Sequence, residues 1–151
     1  MSLGYVLGLI GVSSAVILAG IGSAIGIGTA GMAASGAMSE DPKKFGKYLL
    51  LIALPGTQGI YGFIIAFLAF GKLAAIGAGA DSFYKGFSLM LACQPIAWSG
   101  LFSAIWQGKV CAGGVGMTSK QPNESGKAMV MAVFVEFYAV LGLIISIFAL
   151  G

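Results

Sequence analysis

The chain has 151 residues, of which 58% are hydrophobic and only 9% are charged, and its mean hydropathy is +0.98. Soluble domains carry about 25% charged residues, so this chain has too few to cover a water-facing surface. Eight lysines against five acidic residues give a net charge of +3, and the lysines are dispersed, which argues against a nucleic-acid partner. The lack of His and Arg excludes histidine metal sites, Ser-His-Asp triads and arginine fingers. The composition indicates an integral membrane protein.

Four apolar runs predict four membrane-spanning helices. No charged residue occurs in residues 1–39, and further clean runs cover residues 48–71, 86–108 and 128–151, the last interrupted only by Glu136. A spanning helix needs roughly 20 apolar residues. The first run is longer than that but contains no turn signal, so we expect one long helix there. The predicted fold class is an all-α membrane protein.

The lysines predict how these helices cross the membrane. Two lie near the connection between the second and third runs, Lys72 and Lys85, and six lie near the other two connections. Since lysine is enriched in cytoplasmic loops, the positive-inside rule places the loops around residues 40–44 and 120–124 in the cytoplasm. Both termini are then expected on the outer side of the cell membrane.

An internal repeat appears when the chain is shifted against itself by 80 residues. Pro42 then falls on Pro122, and other matches follow without a gap: the Gly-Lys pair at 46–47 on that at 126–127, and Gly62 on Gly142. Shared low-complexity composition would not readily align both prolines and both Gly-Lys pairs. The chain is therefore predicted to be a duplicated helical hairpin, with hairpins at 1–71 and 86–151 and a connecting loop at 72–85.

Small residues recur every four positions in the first run, as Gly20, Ala24 and Gly28 and again as Gly22, Gly26 and Ala30, and a similar stripe follows residue 100. This spacing lets helix backbones approach closely in lipid. One face of small residues would suffice for a monomer of four helices, whereas the first run has small residues on nearly every side. We therefore expect an oligomer, with this run at the crowded inner wall of a ring.

Glu136 is the one ionisable residue well inside a predicted span. It lies nine residues after Lys127, about 13 Å along a helix that rises roughly 1.5 Å per residue. An intramembrane acid is costly and marks a functional site by default. A glutamic acid that is permanently protonated and serves only packing is the alternative, although a glutamine would fill that role at lower cost.

The repeat predicts which groups share the depth of Glu136. It corresponds to Gly56, so Thr57 and Gln58 lie at nearly the same level, with Tyr61 one turn further on the same face. Gln107 is expected at a comparable height on the third helix. Pro55 has no N–H, so it frees a backbone carbonyl one turn earlier and allows a kink. Several oxygens around one negative charge suit a small hard cation, which favours Na⁺ over H⁺.

Three segments resemble the proteolipid (K or c-type) subunits of bacterial V-type sodium-transporting ATPases: residues 54–62 (LPGTQGIYG), 103–109 (SAIWQGK) and 135–139 (VEFYA). The resemblance covers essentially all four helices. It implies a rotor ring of identical double-hairpin subunits in the lipid bilayer, which works with a membrane stator subunit and central-stalk subunits, while ATP hydrolysis occurs on other subunits. It also implies one Na⁺ site per subunit, with ligands Glu136, Thr57, Gln58, Gln107 and the backbone carbonyl of Leu54, and with Tyr61 hydrogen-bonding the carboxylate.

Other functions are compatible with parts of this pattern. A proton-carrying ring of the same type would need only the carboxyl group and one acceptor. A small ion-coupled transporter or channel could also use duplicated hairpins and an intramembrane acid, although the sequence shows neither a polar substrate path nor a loop gate. A purely structural proteolipid would leave Glu136 and Gln107 unexplained.

Overall fold

The computed structural model describes residues 2–151, so Met1, the first residue of the predicted first hairpin, lies outside the described residues. Within that range four helices are long and apolar enough to cross a membrane: Leu3–Glu40, Pro42–Ile76, Ser82–Lys120 and Pro122–Leu150. We refer to them as the first, second, third and fourth spans. The prediction of four spans is confirmed, and the first is one uninterrupted α-helix of 38 residues.

The second and fourth spans contain shorter elements. The second consists of a 3₁₀ turn at Pro42–Lys44, an α-helix at Phe45–Ala53, a 3₁₀ turn at Leu54–Gly56, an α-helix at Thr57–Leu73 and a 3₁₀ turn at Ala74–Ile76. The fourth begins with a 3₁₀ turn at Pro122–Glu124 and continues as an α-helix at Ser125–Leu150.

The helices extend past the charges that ended the predicted apolar runs. The third span begins at Ser82, before Lys85, and ends at Lys120, well after Lys109. A lysine does not interrupt helical hydrogen bonding, and its long side chain reaches the polar interface from a helix end. The apolar runs therefore locate the spans and underestimate their lengths. The division of the chain into domains at 1–71, 72–85 and 86–151 stays a prediction.

The first and third spans form the closest helix pair of the fold. A Cβ added at Gly22 would lie 2.5 Å from the carbonyl oxygen of Leu101, and one added at Gly108 would overlap the backbone of Gly26. Glycine is needed at these positions because the two backbones leave no room for a side chain. The second span packs against the first, and the fourth against the third.

The two hairpins repeat each other in three dimensions. A Cβ added at Gly62 would meet Ala15 and Ala19, and one added at Gly142 would meet Pro95 and Ser99, which are the same positions 80 residues later. The predicted duplication is therefore confirmed at the level of individual contacts.

Hydrogen bonds between the hairpins fix their relative direction. The ammonium groups of Lys44 and Lys47 donate to the carbonyl oxygens of Ser119 (3.0 Å) and Pro122 (2.7 Å). At the opposite end, Lys72 donates to the carbonyl oxygen of Leu150. The loops after the first and third spans therefore lie side by side at one end of the molecule, and the hairpins run parallel.

Candidate ion-binding site

The Glu136 carboxylate lies between the second, third and fourth spans, with 9% of the residue exposed. Its Oε1 accepts hydrogen bonds from the hydroxyl of Thr57 (2.7 Å) and the phenol of Tyr61 (2.8 Å). Its Oε2 accepts one from the side-chain amide of Gln107 (3.2 Å). The structure thus brings together the side chains that the repeat places at one depth.

Two buried amides form a second layer behind the carboxylate. Gln58 and Gln107 are both 0% exposed, and Gln58 Nε2 donates to Gln107 Oε1 (2.6 Å) and to the hydroxyl of Ser103 (3.2 Å). Gln107 Nε2 also donates to the carbonyl oxygen of Ala132 (3.1 Å). Buried amides need such partners, because an unpaired polar group in an apolar interior costs about 1–3 kcal/mol. The network fixes how each amide oxygen is oriented.

The irregular segment at Pro55 positions the residues of the second span. Proline cannot donate the i→i−4 hydrogen bond of an α-helix, and the α-helix ends at Ala53 and resumes at Thr57 after the 3₁₀ turn. The Thr57 hydroxyl lies 3.0 Å from the carbonyl oxygen of Leu54 within this segment. The predicted irregularity at Pro55 is therefore present and brings a backbone oxygen to the site.

The oxygen atoms around the Thr57 hydroxyl are more numerous than the protons that could form hydrogen bonds between them. Thr57 Oγ1 lies within 3.3 Å of three other oxygens, those of Leu54 (carbonyl), Gln58 (Oε1) and Glu136 (Oε1). A hydroxyl group carries one proton and can donate one good hydrogen bond. A cation bound among these atoms would relieve the repulsion between oxygens that share no proton. The atoms of this cluster that could bind a cation are all oxygens, and hard cations prefer oxygen ligands.

The described residues contain no lysine paired with Glu136. The three ion pairs of residues 2–151 join Lys44 to Asp41, Lys85 to Asp81 and Lys127 to Glu124, all near helix ends. In the same range, no group of three or more His, Cys, Asp or Glu side chains lies close enough to hold a metal ion. The site therefore carries one formal negative charge, which matches a monovalent cation or a proton.

Sequence reasoning missed two serines that support the site. The hydroxyl of Ser103 donates to the carbonyl oxygen of Val135 (2.9 Å), and that of Ser23 accepts from the backbone N–H of Gly59 (2.8 Å). The two serines are repeat equivalents, which was an available signal. It was weak because a helical serine usually bonds a carbonyl of its own helix, as Ser14 and Ser35 do here.

Comparison with known proteins gives the family. A sequence model for the ATP synthase C subunit matches twice, over residues 10–69 and 90–149, which reproduces the repeat distance of 80 residues. The chain is 46% identical over 144 residues to the V-type sodium ATPase subunit K of Enterococcus hirae, covering 95% of this chain and 89% of that protein.

More distant relatives have a similar length or are longer. The chain is 40% identical over 145 residues to the A-type ATP synthase subunit K of Methanocaldococcus jannaschii, covering 96% of this chain and 62% of the relative. It is 30% identical over 141 residues to the 16 kDa proteolipid of the V-type proton ATPase of Nephrops norvegicus, covering 93% and 87%. The chain therefore belongs to the ATP synthase C subunit family, as a multi-pass membrane proteolipid of a rotary ATPase and not one of its catalytic subunits.

Proposed function

We propose that each copy of this chain binds one Na⁺ at Glu136 and carries it across the membrane as the rotor of a V-type ATPase turns. The cation is held by the carboxylate and by neutral oxygens of the second and third spans. Tyr61 orients the carboxylate, and the 3₁₀ turn at Pro55 places the Leu54 carbonyl, which accepts the backbone N–H of Thr57, beside the Thr57 hydroxyl. The proposed ligands are Glu136, Thr57, Gln58, Gln107 and the Leu54 carbonyl.

The cluster of oxygens around Thr57 Oγ1 is the observation that carries this proposal. Four oxygens from Leu54, Thr57, Gln58 and Glu136 lie close together, and the Gln107 amide adjoins them. A carrier of protons needs one carboxyl group and one acceptor, so it would not require a pair of buried amides beyond the hydrogen bond that Gln107 donates to the carboxylate. The similarity to a subunit of a sodium ATPase points to the same ion.

The single charge of the site explains how binding is coupled to rotation. An ionised Glu136 without a cation is costly to expose to hydrocarbon, so an empty site stays near the polar surface of the stator. Once Na⁺ is bound, the site is net neutral and can turn through the lipid. A subunit can therefore rotate from the stator into the lipid only when its site is occupied.

The rotor role sets the partners and the location. The chain acts in a ring of identical subunits in the cell membrane, against a membrane stator subunit, with central-stalk subunits on one side. The loops after the first and third spans carry most of the lysines and lie together, so both face the cytoplasm under the positive-inside rule. Both termini then lie outside.

Labelling with dicyclohexylcarbodiimide tests the proposed ion. The reagent attacks protonated carboxyl groups in apolar surroundings, and among the acids of residues 2–151 only Glu136 lies in the middle of a span. We expect labelling of Glu136 to be slowed by NaCl and not by KCl at equal ionic strength. The Glu124→Gln variant, altered in a loop, should label normally, and Glu136→Gln should not label.

Two results would contradict the proposal. Labelling that falls with rising pH but is unaffected by Na⁺ would identify a proton carrier. A protein that labels yet runs as a monomer or dimer after gentle detergent extraction, instead of as a large ring, would favour a small ion-coupled transporter.

A further inference from the structure

The side-chain amide of Gln58 has two hydrogen-bond acceptors on the third span. Its Nε2 donates to Gln107 Oε1 (2.6 Å) and to the hydroxyl of Ser103 (3.2 Å). We call Gln107 and Ser103 the two anchors of Gln58. Because its nitrogen is held on that side, Gln58 turns its Oε1 toward the oxygen cluster of the site, where it lies 3.3 Å from Thr57 Oγ1.

Each anchor is itself oriented by a backbone carbonyl of the fourth span. Gln107 Nε2 donates to the carbonyl oxygen of Ala132 (3.1 Å), and the hydroxyl of Ser103 donates to that of Val135 (2.9 Å). A backbone carbonyl can only accept a hydrogen bond. Ser103 therefore uses its single proton on Val135 and has only lone pairs to offer Gln58, and Gln107 likewise presents its oxygen to Gln58.

The orientation of the Gln58 amide decides what it offers to a cation. Half a turn about the last side-chain bond would exchange the oxygen and the nitrogen. Nε2 would then stand beside Thr57 Oγ1, and Oε1 would face the oxygens of Ser103 and Gln107. A carbonyl oxygen attracts a cation and an N–H group repels it, so Gln58 is a ligand only in the orientation that the anchors impose.

We propose that Ser103 is a positioning residue of the ion-binding site, which holds the Gln58 oxygen toward Na⁺ together with Gln107. The proposal rests on the proposed function and adds a determinant of Na⁺ affinity outside the proposed ligand set. Within the described residues, the hydrogen bonds of Ser103 join it to Gln58 and Val135 and not to the carboxylate of Glu136. Its effect on the cation is therefore transmitted through Gln58.

Two anchors imply that either one can be lost at limited cost. In Ser103→Ala, Gln58 Nε2 keeps Gln107 Oε1 as an acceptor, and we expect Na⁺ to bind about threefold more weakly, for the loss of one neutral hydrogen bond. In Gln107→Ala, Gln58 stays bonded to Ser103. The loss is then about tenfold, because an oxygen ligand is removed as well.

Loss of both anchors should have more than the combined effect. The double variant Ser103→Ala with Gln107→Ala leaves the buried Gln58 nitrogen without either acceptor, so the amide can turn its N–H group toward the oxygens that would bind the cation. Independent effects would multiply to about thirtyfold. We expect a loss of about a hundredfold or more, because residues that share one hydrogen-bond network are energetically coupled.

Ser99 provides the matched control, one helical turn before Ser103 on the same span. Its hydroxyl is buried and has no hydrogen-bond partner within residues 2–151. Ser99→Ala therefore removes the same kind of atom without removing an anchor. Combined with Gln107→Ala, it should leave the loss of Na⁺ affinity at the about tenfold value of Gln107→Ala alone.

Ser103→Thr provides the conservative variant. It keeps the hydroxyl group, and Ser103 lines a cavity of about 360 Å³ that offers space for the added methyl group. Alone it should bind Na⁺ as the wild type does. Combined with Gln107→Ala, it should show only the about tenfold loss of that substitution.

The measurement is made on the detergent-extracted assembly of the full chain. Na⁺ affinity is taken as the NaCl concentration that half-protects Glu136 from dicyclohexylcarbodiimide. A second comparison uses Gln58→Ala, in which there is no amide to orient, so adding Ser103→Ala should change Na⁺ affinity no further. This comparison decides the matter even where the variant without both anchors does not assemble.

Three results would overturn the role of Ser103. They are losses that simply multiply in the double variant, an equal extra loss from Ser99→Ala, and a further loss from Ser103→Ala in the Gln58→Ala background. Protection of wild-type Glu136 by Na⁺ in the same series would show that the proposed function survives such a result. Wild-type labelling that Na⁺ does not slow would refute the proposed function itself.

Discussion

Replacing Gln107 by alanine removes one oxygen from the proposed site and leaves the Glu136 carboxylate in place. The Gln107 side chain is fully buried and hydrogen-bonds Gln58, Ala132 and Glu136. After the substitution, Gln58 Nε2 keeps its bond to Ser103, so the second amide is not left without an acceptor. The loss is then mainly one neutral ligand, together with one hydrogen bond to the carboxylate.

The expected magnitude follows from the strength of such a contact. A neutral hydrogen bond contributes about 0.5–1.5 kcal/mol net, and roughly 1.4 kcal/mol corresponds to a tenfold change in affinity. We therefore predict that Na⁺ binds about tenfold more weakly to Gln107→Ala. Turnover at saturating Na⁺ should be largely retained, because a filled site is still net neutral.

The matched control is Gln94→Ala on the same span. Gln94 bonds Ser14, Met90 and Trp98 and lies about 20 Å from Gln107 along the helix. Na⁺ affinity is measured as the concentration that half-protects Glu136 from carbodiimide labelling. Unchanged protection in Gln107→Ala, or an equal loss in Gln94→Ala, would refute the assignment of Gln107 as a ligand.

Three further results are expected. Because H⁺ and Na⁺ compete for one carboxylate, the apparent Kd for ²²Na⁺ should rise as the pH falls, by up to about tenfold per pH unit; a pH-independent Kd would contradict a shared site. Gly62→Leu should lower the Tm, since its Cβ would overlap Ala15 and Ala19, whereas Gly71→Leu in the same helix has open space and should not; equal Tm values would contradict the packing. Gln121→Cys should react with an impermeant maleimide only from the cytoplasmic side and Gly79→Cys only from the outer side, and the reverse pattern would invert the topology.

Much of this fold follows from the sequence because a membrane leaves few choices. Apolar runs separated by charges must become spanning helices, and the 80-residue repeat fixes which helices are equivalent. The same repeat places Thr57, Gln58 and Glu136 at one depth. Residue depth along a regular helix needs only a rise per residue, so this part of the site was predictable.

Which face of each helix packs on which neighbour was not predictable in the same way. The first span has small residues on two faces, at Gly20 and Gly28 and at Gly22 and Gly26, and composition does not distinguish them. The structure shows that the second face packs on the third span. The roles of Ser23 and Ser103 depend on that choice, because a serine bonds another helix only when its face is turned toward it.

Equilibrium binding of ²²Na⁺ to the purified protein tests the central claim most directly. Wild-type protein should bind one Na⁺ per chain, with K⁺ failing to compete. Glu136→Gln should bind none, because the described residues offer no second carboxylate at that depth, while Glu124→Gln should bind as the wild type does. Saturable Na⁺ binding that persists in Glu136→Gln, or its absence from the wild type, would contradict the account.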